Sequence, residues 1–243
     1  MPHAIGVEPS TQSRRAPKAT GSSSRELRQL HILYNNTRNK YLSSNLHITI
    51  TRLLESKTRP AVTKLVSLGL GSLKSTDQAR RIKQLTIFLA IAEQLRTHDP
   101  NLEIYAQDPS FSKTDEAFLQ SLGVQILVTP AATEPGEAAQ YLGDSTLVYC
   151  PFLTLEAYQL FFSTEKLKFF IGDDFDALRL KWPKQSAGRN EAEGLLRRFV
   201  QGLRKRVVGR DEAFWDVEDK PFPMAMYWGV SRREQGNLVQ AML

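Results

Sequence analysis

Four places in this 243-residue chain carry side chains that could hold or transform a ligand. Gly69-Leu70-Gly71-Ser72 follows an apolar run and precedes a helical one. Glycine there permits a left-handed backbone and close approach of a ligand, and a helix N-terminus favours an anionic group. Lys74 stands where the third glycine of a dinucleotide fingerprint would fall, and GxxxxGK(S/T) is absent. The turn also reads as a plain strand-to-helix connection. Asp108-Pro109 ends the next apolar run. A carboxylate there accepts ribose hydroxyls in nucleoside-binding folds, or simply breaks the strand. Cys150-Pro151-Phe152 ends the fourth run, but a cysteine nucleophile needs a base. His3, His31, His47 and His98 lie in the tail, or on helices before or at the far end of the sheet, so an inert core thiol is the simpler reading. Asp173-Asp174 ends the fifth run. Paired carboxylates bind a metal or share a proton, yet adjacent residues on an extended chain point to opposite sides, so one faces a cleft. An aspartate at such a place also caps a helix. Gly69, Gly71, Ser72, Asp108, Cys150, Pro151, Phe152 and Asp173 are thus the candidate ligand-binding set; no catalytic constellation emerges, and no metal site is expected.

Alternating strand and helix patterns must position these residues. Strands are expected at Val62–Leu68, Leu102–Ala106, Val124–Val128, Thr146–Tyr149 and Lys168–Ile171. They are short and apolar without strict alternation, as strands buried on both faces are. Between them, helices are expected from Ala79 to Leu95 behind a Ser75–Gln78 capping box, over Lys113–Leu122, over Pro135–Leu142, and over residues 154–163. Before the first strand, Ser24 caps one helix and residues 42–57 form a second. After Asp176, Arg189–Val207 suits a helix, and Phe222–Trp228 a final strand at the sheet edge, where proline is tolerated. The expected fold is α/β: a Rossmann-like, doubly wound, mostly parallel sheet of about five to seven strands with helices on both faces. Ligands in such sheets bind beyond the carboxyl ends of the strands.

Residues 1–24 are rich in Ser, Thr, Pro, Gly and Arg and read as a disordered basic tail. Residues 25–243 read as one domain, with N-terminal helices at 25–59, the core at 60–176, and a C-terminal helix and edge strand at 177–243. Net charge is +6, but residues 60–175 carry 9 basic and 14 acidic side chains, so the basicity lies in the flanks. A nucleic-acid-binding core is therefore not expected. No stretch is apolar enough to span a bilayer, the first residues lack the apolar centre of a secretory signal, and the single Cys150 allows no internal disulfide. A reducing compartment, cytoplasm or nucleus, is the expectation.

In order and spacing, several segments resemble the SRR-like domain (sensitivity to red light reduced). They are Leu68-Gly69-Leu70-Gly71-Ser72, Asp108-Pro109-Ser110-Phe111 with Leu119–Val124 behind it, Pro151 followed by Tyr158, and Ile171-Gly172-Asp173-Asp174-Phe175. The resemblance covers about residues 40–176 and extends toward Phe222–Trp228. The family's Pro-His-Cys-Pro appears here as Pro151-Phe152-Leu153, and its Gly-Asn-Ser as Gly172-Asp173-Asp174. Any metal, heme or chemical role of that His/Cys pair would be lost in this divergent member. The resemblance implies an intracellular regulatory protein, cytoplasmic or nuclear, with no established enzymatic activity to carry over. Relatives are linked to light signalling and circadian timing in plants, and to cytoskeletal or heme-related processes elsewhere.

Two functions follow as expectations. One is a regulator acting through protein partners, with any small ligand at the glycine turn serving as a signal or prop. The other is an S-adenosylmethionine-dependent methyltransferase. In it, Gly69 and Gly71 approach the methionine part, Asp108 holds the ribose, and Cys150, Pro151 and Phe152 face the substrate. Ser67 stands where the usual acidic residue of that second reading would be. S-adenosylmethionine is accordingly the first cofactor to test.

Overall fold

A computed structural model describes residues 20–56, 59–129, 133–163, 167–209, 213–216 and 223–229. Five parallel strands form its centre: β1 (Lys64–Leu68), β2 (Glu103–Gln107), β3 (Gln125–Ile126), β4 (Thr146–Cys150) and β5 (Phe169–Asp173). Two more, β6 (Arg204–Gly209) and β7 (Met224–Trp228), complete a seven-stranded sheet in the order β3-β2-β1-β4-β5-β7-β6. β7 runs antiparallel to both neighbours. β4 and β5 are buried along their whole length, which is why TLVYC and FFIGD lack polar alternation.

Helices cover both faces. α1 (Thr20–Leu42), α2 (Asn45–Leu54), α3 (Gln78–Arg96) and α4 (Lys113–Ser121) share one core with Leu65, Ile104, Tyr149, Ile171 and Met226. On the other face, Val66, Val148, Cys150, Phe170 and Tyr227 pack with side chains of α5 (Ala138–Tyr141), α6 (Leu155–Phe162), α7 (Phe175–Leu178) and α8 (Ala187–Leu195). The strand order reverses between β1 and β4, so the turns after these two strands lie side by side. Among the described residues, no helix is long and apolar enough to cross a membrane.

Five sequence expectations need correction. The first helix begins at Thr20 rather than at a Ser24 cap and runs on to Leu42; residues 1–19 of the expected tail lie outside the described residues. Ser44 caps the second helix instead, accepting a hydrogen bond from His47 N–H at 3.2 Å. The Ser75–Gln78 box does not form, because Gln78 Nε2 donates to Leu73 O at 2.6 Å and the Ser75 hydroxyl is buried without a partner. Ser112 and Asp115 form a capping box at α4.

The fourth and fifth corrections belong together. The helix expected over Arg189–Val207 stops, the chain passes through a π-turn at Leu196–Val200, and Arg204–Val207 are strand. Their basic side chains suit a helix, but pairing Arg204–Gly209 against Trp228–Met224 overrides that propensity. β6 therefore takes the edge, and β7 is interior rather than the expected edge strand. Pro221 and Phe222 of that expectation lie outside the described residues.

Candidate functional site

The sequence-derived residues do converge at the carboxyl ends of β1, β2, β4 and β5, but their polar groups are bonded to one another. Gly69 and Gly71 both have left-handed backbones, with φ of +72° and +77°. That geometry aims the Gly71 N–H at Asp108, whose Oδ2 accepts it at 2.7 Å. Asp108 Oδ1 accepts from the N–H and the hydroxyl of Ser110 at 2.8 and 2.5 Å. The carboxylate proposed for a ribose is thus held by three protein donors.

Ser72 donates to another carboxylate, that of Asp115, at 2.8 Å. Asp115 is fully buried and also accepts from Leu73 N–H at 3.1 Å, and from Ser112 N–H and Oγ–H at 2.8 Å each. Its place three residues after Ser112, in a capping-box spacing, was the sequence signal that could have found it. The turn after β1 is therefore tied to the loops after β2 by two aspartates.

Side chains also cover the two glycines. A methyl group on Gly69 would lie 2.2 Å from Leu153 Cδ2, and one on Gly71 would lie 2.6 Å from Arg81 Nε. Leu153 and the Arg81 side chain rest on the backbone that a nucleoside would have to approach. Neither stands out in the sequence, because each acts through a contact between segments distant along the chain.

Across the switch, β4 ends at Cys150-Pro151 and Phe152 takes a left-handed backbone, φ +65°. For a non-glycine residue this costs on the order of 1 kcal/mol. Its N–H donates to Asp173 Oδ1 at 3.2 Å, while its ring sits under the Arg80 guanidinium, 4.9 Å away, and edge-on to Trp215 at 6.1 Å. Tyr158 on α6 closes the network. Its hydroxyl donates to Cys150 O at 2.7 Å, lies 3.3 Å from Asp173 Oδ2, and accepts from Asp173 N–H at 2.9 Å. A side chain at Gly172 would meet that hydroxyl at 2.8 Å.

Burial dominates the titration of this cluster. It pushes the Asp173 carboxyl from its usual 3.8 up to about 6; the Phe152 N–H, then Lys181, Tyr158 and Arg80 oppose the shift. Burial, with the Asp173 charge second, drives the Cys150 thiol far above its ordinary value, which favours the protonated form over the thiolate. Asp174 turns the other way from Asp173: it caps α7 and pairs with Lys205, which also reaches Asp176 at 2.7 Å. Pro151 is buried at the strand end. Among the described residues no three His, Cys, Asp or Glu side chains gather as a metal site.

Buried polar atoms without partners surround these bonded groups. The Ser67 and Tyr149 hydroxyls, paired in register on the α3 face of the sheet, have none among the described residues. Gln84 Nε2 and the Nε atoms of Arg80 and Arg81, all on α3, have none either.

The fit of S-adenosylmethionine follows from these contacts. Its ribose would need the Asp108 carboxylate, and its methionine part the surface of Gly69 and Gly71; the first is bonded to protein and the second is covered. The residues present do not fit that group.

Among solved structures, the fold is similar to that of a candidate O-methyltransferase from Klebsiella pneumoniae, with 14% identity, a TM-score of 0.46, and 88% of this chain and 91% of that one covered. It is also similar to a SAM-dependent methyltransferase from Aquifex aeolicus, with 12% identity, a TM-score of 0.42, and coverage of 83% and 96%. At such identities the likeness is one of fold. No curated protein matches the sequence significantly. The SRR1 domain model matches residues 38–223, which includes every strand of the sheet except the last. The chain belongs to the SRR1 domain family.

Proposed function

We propose that this protein is a regulatory member of its family that works through protein partners, on a Rossmann-like scaffold whose glycine turn is a structural latch. One observation supports this above the others. Asp108, which would hold the ribose of a nucleoside, is bonded to Gly71 and Ser110, and Leu153 lies against Gly69 where a family histidine-cysteine pair would follow the strand-end proline. The buried Cys150, whose thiol is held in its protonated form by burial and the Asp173 charge, favours the same reading. A cytoplasmic or nuclear setting accords with the reduced cysteine.

Calorimetric titration with S-adenosylmethionine and S-adenosylhomocysteine tests it. The wild type is expected to give no saturable heat at millimolar ligand, with no gain on Asp108→Ala. Micromolar binding lost in Asp108→Ala would instead make the cleft a nucleoside site and install the methyltransferase reading.

A further inference from the structure

We propose that the amino-terminal end of α3 binds a phosphoryl oxyanion between Arg80 and Arg81. The proposal goes beyond the partner reading and depends on no step of it. These adjacent arginines lie across the ends of β1 and β4, one over the Phe152 ring and the other against Gly71. Neither makes an ion pair among the described residues, although their Nε atoms are buried and unpartnered.

The surrounding atoms ask for the same kind of ligand. Gln84 is 1% exposed; its Oε1 accepts from Arg81 Nη1 at 3.2 Å, which fixes the amide beside that guanidinium and leaves Nε2 with no acceptor. At the start of this 19-residue helix, Asp77 makes no capping bond, and the Ser75 hydroxyl is buried and unpartnered. The unmatched groups are thus N–H donors and one hydroxyl, at the positive end of a helix. Water would accept these hydrogen bonds singly; an oxyanion accepts several at once, each strengthened by charge.

The nearby carboxylates do not substitute for it, since Asp108 is committed to Gly71 and Ser110, and Asp173 to Phe152 and Tyr158. Burial, and next the Arg80 charge, lower Arg81 from its ordinary value, against the pull of Asp108 and Asp77. Gly71 contributes by having no side chain: a Cβ would displace the Arg81 side chain.

The phosphoryl group could arrive as a free small anion or on a phosphoserine of a partner, and the two sources separate in titration. Inorganic phosphate is titrated into the full chain at ionic strength held constant with chloride. Saturable binding is expected, weakened at least tenfold by Arg80→Gln and by Arg81→Gln, and unchanged by Arg197→Gln, an exposed arginine on the π-turn. Arg80→Lys keeps the charge but loses the fork, so it serves as the second variant should a glutamine variant fail to fold; it too is expected to weaken binding. A phosphoserine peptide binding at least tenfold tighter than phosphate, with its unphosphorylated form silent, assigns the group to a partner; equal affinities assign it to a free anion. No saturable heat, or equal binding by all variants, overturns the proposal.

Discussion

The acids and the bases at the carboxyl end of this sheet are treated differently. Asp108 and Asp115 each accept at least three hydrogen bonds from protein donors, and Asp173 accepts one from Phe152 N–H beside the Tyr158 hydroxyl, several of the donors being backbone N–H groups of the very turns that ligand-binding folds leave open. Arg80 and Arg81, across the ends of the same strands, keep buried Nε–H groups with no acceptor among the described residues. A carboxylate bonded to its own backbone stabilises the fold and has most of its acceptor capacity taken up by protein. A guanidinium held without its acceptor contributes little to the fold and retains its recognition chemistry. The difference separates what closes this end of the molecule from what remains available to bind.

Substitution should break the two groups apart in stability. Asp115→Ala removes a fully buried acceptor from four donors and is expected to cost roughly 4 kcal/mol, read as a fall in urea midpoint at constant slope. An effect below about 1 kcal/mol would mean that the acids are not structural.

Asp173 gives a pH signature of the opposite sign to an ordinary ion-paired aspartate. Its folded value, about 6, lies above the usual 3.8, so the native state binds the extra proton between the two. Stability should therefore fall as pH rises through that window, by up to roughly 3 kcal/mol, and Asp173→Asn should flatten the profile. Unfolding followed from pH 4 to 7 measures both.

Gly69→Ala places a methyl on a left-handed backbone and against Leu153, with an expected loss of about 2 kcal/mol in denaturant unfolding. Leu153→Ala in the same chain should recover part of it, and strict additivity of the two would deny the contact. The smallest change belongs to the bases. Arg80→Gln should move the urea midpoint by less than about 1 kcal/mol, since the side chain is half-buried and makes no ion pair among the described residues.

Much of this architecture was legible in the sequence, for physical reasons that also mark where legibility stops. The strands at Lys64–Leu68, Glu103–Gln107, Thr146–Cys150 and Phe169–Asp173 announce themselves because burial on both faces demands apolar runs. Arg204–Val207 misleads because its long basic side chains suit a helix, and only β7, more than a dozen residues later, makes it a strand. The candidate residues were placed at the correct edge, since strand-end turns fall there whatever their role. Their closure was not legible. Asp108 meets Gly71 across 37 residues, and Leu153 meets Gly69 across the switch in strand order, contacts that no local spacing encodes. The arginines that lack an ion pair among the described residues were hidden for a simpler reason: on a sequence, a paired cation and an unpaired one look alike.

Amide hydrogen exchange at Gly71 and Leu73 tests the latch most directly. Their N–H groups point into the carboxylates of Asp108 and Asp115 at 2.7 and 3.1 Å. A latched turn predicts protection approaching that of the β1 amides, unchanged by added S-adenosylmethionine and lost at Gly71 in Asp108→Ala. Rapid exchange at both amides, slowed when S-adenosylmethionine is added, would contradict it and show an open turn waiting for a ligand.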